Sequence, residues 1–252
     1  MRRVLLLIVA ALPVMACGCM QLKITASLER DGGGDYAMTY SIADDIQQDL
    51  AALTDLGSRS GASGFAAPDP IKLDEDGFRR VCAEQDVRIK RFDRKTSDGF
   101  RGLDLALGYS GTEALATVLK SLLGPDCAVP VLTRTADGNY ILGMLRNENY
   151  AGPDLAVEEL HADAVGSLSA LDPEAIAEIA ETLARLVQAS ADLLISFRIR
   201  VPGRILDHNA HRIEDGACVW ELNAGNIMHA DSLSPLVVFS GKGLDLVPQP
   251  TD

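Results

Sequence analysis

Short runs of alternating apolar and polar residues, separated by Asp-Gly pairs, constrain the fold of this chain more than any other feature. Three such pairs are Asp31-Gly32, Asp137-Gly138 and Asp215-Gly216. An Asp-Gly pair between two alternating runs is a strong signal for a tight β-turn, because glycine adopts positive φ angles without steric cost. We therefore predict that each pair joins two antiparallel strands.

The flanking runs predict strands, and segments with helical spacing of apolar residues lie between them. Strands are predicted over residues 22–28, 36–42, 87–92, 103–109, 129–135, 140–145, 195–201, 211–214 and 218–222. Helices are predicted over 46–53, 78–84, 115–122 and 173–186, with Gly57 ending the first one and a linker rich in Gly, Ser, Ala and Pro over 57–70. Hairpins interspersed with helices predict an α+β fold, in which amphipathic helices pack on a largely antiparallel sheet.

The N-terminus has the order of features that protein export requires. Arg2 and Arg3 precede an apolar run from Val4 to Val14, and small residues follow that run. The run is too short to cross ~30 Å of hydrocarbon, which needs ~20 residues. We therefore predict a signal peptide over residues 1–18, which is removed to leave one extracytoplasmic domain over residues 19–252.

Two cysteines compete to become the first residue of the mature chain. Cys19 is preferred because only small or apolar residues occupy positions 15–18, whereas a cut at Cys17 places Pro13 in the recognition segment. The junction resembles the lipobox of bacterial lipoproteins, which implies a palmitate-type lipid on Cys19. The alternative is an ordinary secretory signal with two incidental cysteines.

An acylated Cys19 predicts that the chain is held at a membrane by its N-terminal lipid. The protein would then lie on the periplasmic face of the outer membrane in a Gram-negative cell, or on the outer face of the cell membrane otherwise.

Charge and motif content exclude several classes of function. The formal charge is −13, and removal of Arg2 and Arg3 changes it to −15 (−13 − 2). Such a charge repels phosphate backbones, so no nucleic-acid partner is expected. The chain has no G-x-S-x-G, H-E-x-x-H or P-loop pattern, so we predict neither an enzyme nor a bound cofactor.

The cysteines and histidines of the mature domain offer few sites for chemistry. One disulfide is predicted among Cys82, Cys127 and Cys218, because export leads to an oxidising compartment, and the pairing is open. Buried free thiols that pack as small apolar groups are the alternative. His208 and His211 are three residues apart in an extended segment and point to opposite faces, so no metal site is expected.

Both ends of the mature chain resemble a known family. The matching residues are the segment from Phe197 to Pro202-Gly203, then Asn209-Ala210, then Val219-Trp220-Glu221-Leu222, together with Gly18-Cys19 followed at once by a strand. They resemble the LppM-like domain family of bacterial lipoproteins, which is mostly uncharacterised. The resemblance implies a cell-envelope lipoprotein that binds a lipid or glycolipid. Many members carry a transmembrane helix near the C-terminus, whereas residues 243–252 contain none, so we expect the lipid to be the only anchor.

Three side chains are candidates for ligand binding. Arg198 and Arg200 share the polar face of a strand and suit an anionic head group, with a solvated surface as the alternative. Trp220 suits stacking on a ligand, with a place in the core as the alternative.

Two functions therefore remain open for the domain. It is either a lipid-anchored module that binds an amphiphile or envelope glycolipid, or a lipid-anchored protein-interaction scaffold without a small-molecule ligand. A cavity of several hundred cubic ångströms between sheet and helices would favour the first function, and a solid core the second.

Overall fold

A computed structural model of the protein describes residues 20–59, 73–145, 180–223 and 234–248, except positions 98, 125, 126, 128, 183, 186, 187, 189, 190 and 192. The predicted signal peptide over residues 1–18 and the candidate acylation site Cys19, with Cys17, lie outside the described residues. Residues 60–70 of the predicted linker and residues 173–179 of the predicted C-terminal helix lie outside them as well. Residues 180–182 of that helix are described and are helical.

The larger of two sheets contains seven of the described strands. They are β1 (Met20–Leu28), β2 (Gly34–Ala43), β3 (Arg88–Ser97), β4 (Phe100–Tyr109), β7 (Leu194–Arg200), β9 (Arg212–Glu214) and β10 (Ala217–Asn223). Their order across the sheet is β3-β4-β2-β1-β7-β10-β9. Every neighbouring pair is antiparallel except β1 and β7, which are parallel. The predicted α+β class with a largely antiparallel sheet is confirmed.

The smaller sheet contains the other four described strands. They are β5 (Val129–Arg134), β6 (Tyr140–Leu145), β8 (Ile205–His208) and β11 (Leu236–Phe239), in the order β5-β6-β11-β8. The hairpin of β5 and β6 was predicted from its Asp-Gly turn. Strands β8 and β11 were not predicted, because each has only four residues and pairs with strands that are distant in sequence.

Three helices are described from end to end, namely α1 (Asp44–Arg59), α2 (Glu75–Glu84) and α3 (Thr112–Leu123). The prediction that α1 ends at Gly57 is wrong, since the helix continues to Arg59. A glycine inside a helix costs only about 1 kcal/mol relative to alanine, so neighbouring residues can carry the helix past it. Helix α3, predicted over residues 115–122, ends at Leu123, and Gly124 follows it with a φ of 96°. No helix among the described residues is long and apolar enough to cross a bilayer.

One face of the larger sheet, the inner face, packs against α2, α3 and the smaller sheet. A first cluster joins this face to the two helices and to β5, through Ile24, Tyr36, Leu105, Phe78, Leu115, Leu119 and Val129. A second cluster joins it to the smaller sheet, through Leu28, Ile199, Trp220, Tyr140, Val237 and Phe239. The opposite, outer face carries polar residues such as Lys23, Thr39, Arg198 and Arg200, of which Lys23, Thr39 and Arg200 are exposed. The apolar interior therefore lies on one side of the larger sheet.

Candidate functional site

An open groove of about 460 Å³ lies at the end of the larger sheet where the parallel strands β1 and β7 finish. Its walls are Leu28 and the turn 29–31 on one side, and residues 200–202 on the other. Beyond the last pair of the two strands, Ser27 with Arg200, their connections diverge. The chain after β1 returns as β2 of the same sheet, whereas the chain after β7 continues into β8 of the smaller sheet. Divergent connections after adjacent parallel strands leave a crevice, which in open α/β sheets is a common place for ligands.

The turn that forms one wall of the groove is fixed by its own hydrogen bonds. The amide of Glu29 donates to the carbonyl of Gly33 at 2.7 Å, and the amide of Gly33 donates to Oδ1 of Asp31 at 3.1 Å. Gly32 has a φ of 90°, which a side chain would strain. The hydroxyl of Tyr109 donates to the carbonyl of Ser27 at 2.8 Å and holds the end of β1. The wall is therefore built by backbone geometry, and the Asp31 carboxylate is engaged within it.

Two arginines bring positive charge to the groove. Arg30 and Arg200 are both exposed and line it from opposite walls. Nη2 of Arg200 donates to the carbonyl of Asp215 at 3.1 Å, which uses part of a guanidinium with five N–H donors. The remaining lining includes the carboxylate of Glu29 and apolar atoms of Leu28, Val201 and Pro202. Guanidinium groups above an apolar wall suit a ligand with a carboxylate or phosphate and an adjacent apolar part.

An enclosed apolar cavity lies behind Leu28, between the larger sheet, α3 and the smaller sheet. Its volume is about 20 Å³, and its lining includes Ala26, Tyr36, Leu115, Leu142, Met144 and Phe197. A space of this size holds about one water molecule, whereas ligand pockets usually measure ~300 Å³ or more. Leu28, only 3% exposed, lines both the cavity and the open groove. Leu28 is therefore the wall that separates this small cavity from the groove.

Tyr36 introduces a polar group into this apolar lining. Its side chain is buried, and its hydroxyl has no hydrogen-bond partner among the described residues. Burial is the main reason that the pKa of Tyr36 is raised far above its ordinary value. The hydroxyl is therefore neutral, and it is the kind of buried group that an ordered water usually satisfies.

Trp220 lies in the core and not on a ligand-binding surface. Its side chain is 4% exposed and belongs to the cluster between the sheets. Its Nε1 donates to Oδ1 of Asn209 at 3.0 Å, and the same oxygen accepts the amide of Leu236 at 2.8 Å. Asn209 therefore connects a strand of the larger sheet to a strand of the smaller one. The position of Trp220 therefore matches the alternative given from the sequence, which was a place in the core.

Arg198 and Arg200, the other predicted candidates, have different surroundings. Nη1 of Arg198 donates to Oε2 of Glu214 at 3.0 Å, and its Nη2 lies 3.3 Å from Oδ2 of Asp215. Arg198 therefore holds the turn between β9 and β10, while Arg200 reaches the groove. Sequence reasoning did not single out Arg30, because a lone arginine beside an Asp-Gly turn looks like an ordinary surface residue.

The three cysteines of the domain are free thiols in the structure. Cys82 and Cys218 are buried, and burial raises the pKa of the Cys82 thiol to about 11 and raises that of Cys218 as well. Cys127 is partly exposed and packs against the cluster that contains Cys82. No bridge joins these three residues in the part of the chain that the structure describes, so the disulfide stays a prediction for a thiol count to test.

The two neighbouring histidines each accept a backbone hydrogen bond. Nδ1 of His208 accepts the amide of Ala210 at 3.1 Å, and Nδ1 of His211 accepts the amide of Glu221 at 3.0 Å. No group of three or more His, Cys, Asp or Glu residues within the described ranges could hold a metal ion. The two histidines therefore stabilise the backbone between β8 and β10 through these hydrogen bonds.

Comparison with known proteins finds a similarity to a solved structure. No family model matches the chain, and no curated protein sequence matches it. The chain is similar to the NMR structure of the folded domain of Mycobacterium tuberculosis LppM, with a TM-score of 0.44 and 12% sequence identity. The match covers 88% of this chain and 90% of that one. At this level of similarity, the description of the site rests on the geometry of this chain alone.

Proposed function

We propose that this chain is a lipid-anchored protein of the bacterial cell envelope, and that its extracytoplasmic domain binds a partner protein at the groove between Arg30 and Arg200. The leader over residues 1–18 and the junction before Cys19 support the anchor. The groove supports a binding function, and no catalytic motif accompanies it in the sequence. We therefore propose a binding module and not an enzyme.

One observation carries the choice of a protein partner, namely the contrast between a small enclosed cavity and an open groove. The cavity between the layers measures about 20 Å³, which is too small for an acyl chain. The groove measures about 460 Å³ and is accessible from solvent. Its two guanidinium groups and its apolar wall match an acidic side chain followed by an apolar one on the surface of a partner.

Binding of an amphiphile is the second candidate function, and the position of Leu28 favours it. Because Leu28 lines both the groove and the cavity, a head group beside Arg30 would stand directly over the apolar interior. Rotation of this one side chain, together with separation of the two sheets, would admit a tail. The lipid or envelope glycolipid that the sequence resemblance implies would bind in this way.

Photo-crosslinking in intact cells distinguishes the two candidates. A photoreactive amino acid is placed at Glu29, which is exposed in the wall of the groove. In the matched control it is placed at Asp93, which is exposed on β3. We expect the probe at position 29, but not the one at position 93, to form a protein adduct of discrete mass. The additional change Arg30→Gln should weaken that adduct, while Arg80→Gln, which removes an equal charge from an exposed site on α2, should not.

The adduct also reports which class of ligand is bound. A lipid adduct at position 29 in place of a protein adduct would favour the second candidate. Equal labelling from positions 29 and 93, or no loss of labelling with Arg30→Gln, would contradict binding at the groove.

A further inference from the structure

The first strand of the domain follows the proposed acylation site without a spacer. Strand β1 begins at Met20, the residue directly after Cys19. Adjacent Cα atoms are only ~3.8 Å apart, so lipid chains on Cys19 would lie next to the end of the larger sheet at which β1 begins. We call this end of the sheet the anchor end. We propose that the anchor end makes an apolar contact with the lipid surface, and this proposal rests on the proposed acylation of Cys19.

The anchor end carries an apolar cluster separate from the two main ones. Ile42, Ala43 and Ile46 are buried there, with partly buried side chains packed against them from Met20, Tyr40, Leu50 and Phe100. The strand register brings them together, because Met20 pairs with Ile42, and Ala43 pairs with Phe100. Partly buried apolar side chains at this level can enter the boundary between head groups and acyl chains.

Leu194 adds an exposed apolar side chain at the same end of the sheet, on its outer face. It is the first residue of β7, it pairs with Gln21 near the start of β1, and it is 43% exposed. An exposed leucine beside acyl chains transfers apolar surface out of water, which stabilises the contact by ~25 cal/mol per Å² buried. The membrane is the occupant that fits, because the lipid of Cys19 would be attached one residue from this surface.

The described charges at the anchor end do not attract anionic lipids, because α1 begins with Asp44 and Asp45 and the nearby Arg101 is paired with Asp44, so the contact is apolar and not electrostatic. Nε of Arg101 donates to Oδ1 of Asp44 at 2.7 Å, so this pair adds no net charge. A chain with a formal charge of −13 has no general attraction to anionic lipids. The contact should therefore be insensitive to salt.

The groove lies at the opposite end of the same strand. Leu28 is eight residues from Met20 along β1, a distance of ~27 Å at 3.3–3.4 Å per residue. With the anchor end on the membrane, the groove faces the aqueous space of the envelope. A ligand at the groove would thus approach from that space, and a lipid bound there would have left the bilayer that holds the protein.

Fluorescence at two matched positions tests this orientation. Leu194 and Ile213 are 43% and 49% exposed, and Ile213 lies at the level of Ile199, five residues further along β7. The acylated chain carries Cys127→Ser and either Leu194→Cys or Ile213→Cys, labelled with an environment-sensitive dye. Cys82 and Cys218 stay unlabelled in the folded protein, because they are buried and their raised pKa keeps them protonated.

The labelled protein is reconstituted into phosphatidylethanolamine and phosphatidylglycerol vesicles that contain a lipid with a spin-labelled head group. We expect a blue shift and strong quenching at position 194, little of either at position 213, and no change at high salt. Equal emission and quenching at the two positions, or stronger quenching at position 213, would overturn the orientation. The mass of the N-terminal peptide from the same sample separates the lipid anchor from the orientation. An unmodified Cys19 would overturn the anchor itself. An acylated Cys19 with equal quenching at the two positions would overturn only the orientation.

Discussion

The two faces of the larger sheet differ in what their side chains contact, and strand β7 shows the difference between neighbouring residues. Ile199 points inward, is 3% exposed and packs in the cluster between the sheets. Arg198 and Arg200 point outward and bond to Glu214 and to the turn at Asp215. The inner face therefore supplies the stability of the domain, whereas the outer face positions the charged groups that border the groove.

The largest effect is expected for a cavity made on the inner face. Ile199→Ala should lower the free energy of unfolding by about 2–5 kcal/mol, because it removes buried methyl groups from a packed cluster. Urea unfolding followed by circular dichroism measures the loss. Ile213→Ala, at a residue 49% exposed, is the control and should change the stability by less than about 1 kcal/mol. Similar losses for the two variants would contradict the assignment of stability to the buried residues of the inner face.

A smaller effect is expected where one polar residue joins the two sheets. Asn209→Ala removes the acceptor for Nε1 of Trp220 and for the amide of Leu236, which should cost about 1–3 kcal/mol. Urea unfolding followed by circular dichroism measures the loss. An unchanged urea midpoint for Asn209→Ala would show that these hydrogen bonds between the two sheets contribute nothing to the free energy of unfolding.

Ion pairing on the outer face predicts a dependence of stability on pH. The hydrogen bond from Lys95 is the main cause of a lowered pKa for the Asp104 carboxyl, and a bond from Thr39 adds to it. Because the pKa in the folded state lies below the ordinary value of 3.8, the stabilisation is complete above that value and is lost as the pH falls through the folded-state pKa. Asp104→Asn should therefore cost on the order of 1 kcal/mol at pH 7.

The same variant should cost less at pH 3 than at neutral pH, because the wild-type carboxylate is then partly protonated. Unfolding curves at both values measure the difference. A penalty that is equal at pH 7 and pH 3 would mean that the charge of Asp104 is not what stabilises the fold.

The smallest effect is expected at Arg198. Its side chain is 30% exposed, and its partner Glu214 is 50% exposed, so solvent screens the pair. Arg198→Ala should change the free energy of unfolding by at most about 1 kcal/mol. Hydrogen exchange should nevertheless speed up in β9, because the hairpin turn loses its contact with β7. A loss as large as that of Ile199→Ala would contradict the assignment of stability to the inner face.

Turn chemistry explains why much of the larger sheet could be predicted from the sequence. Asp215 and Gly216 have φ angles of 50° and 73°, as a turn with two positive φ values requires, and they join β9 to β10 as expected. Strand β3 continues to Ser97, beyond its predicted end at Phe92, because pairing with β4 extends a segment of exposed polar residues that shows no alternation. Local patterns thus identified strands but not their full lengths.

The groove could not be predicted, because it depends on a contact between distant parts of the chain. The parallel pairing of β1 with β7 joins Gln21 to Leu194 and has no local sequence signal. Arg200 was singled out from its strand, but its partner across the groove, Arg30, becomes apparent only once the two strands are adjacent. Trp220 allowed two interpretations in the sequence, and the position of its hairpin against the smaller sheet decides between them.

The most direct test of the proposed function is the fate of the protein when Cys19 is replaced. We expect Cys19→Ala to move the protein from the membrane fraction to the soluble extracytoplasmic fraction, because attachment by two or three acyl chains is effectively stable and no other anchor is proposed. Cys17→Ala is the matched control and should leave the protein in the membrane fraction. Membrane retention of Cys19→Ala, with Cys17 also unmodified by mass spectrometry, would contradict the lipid anchor.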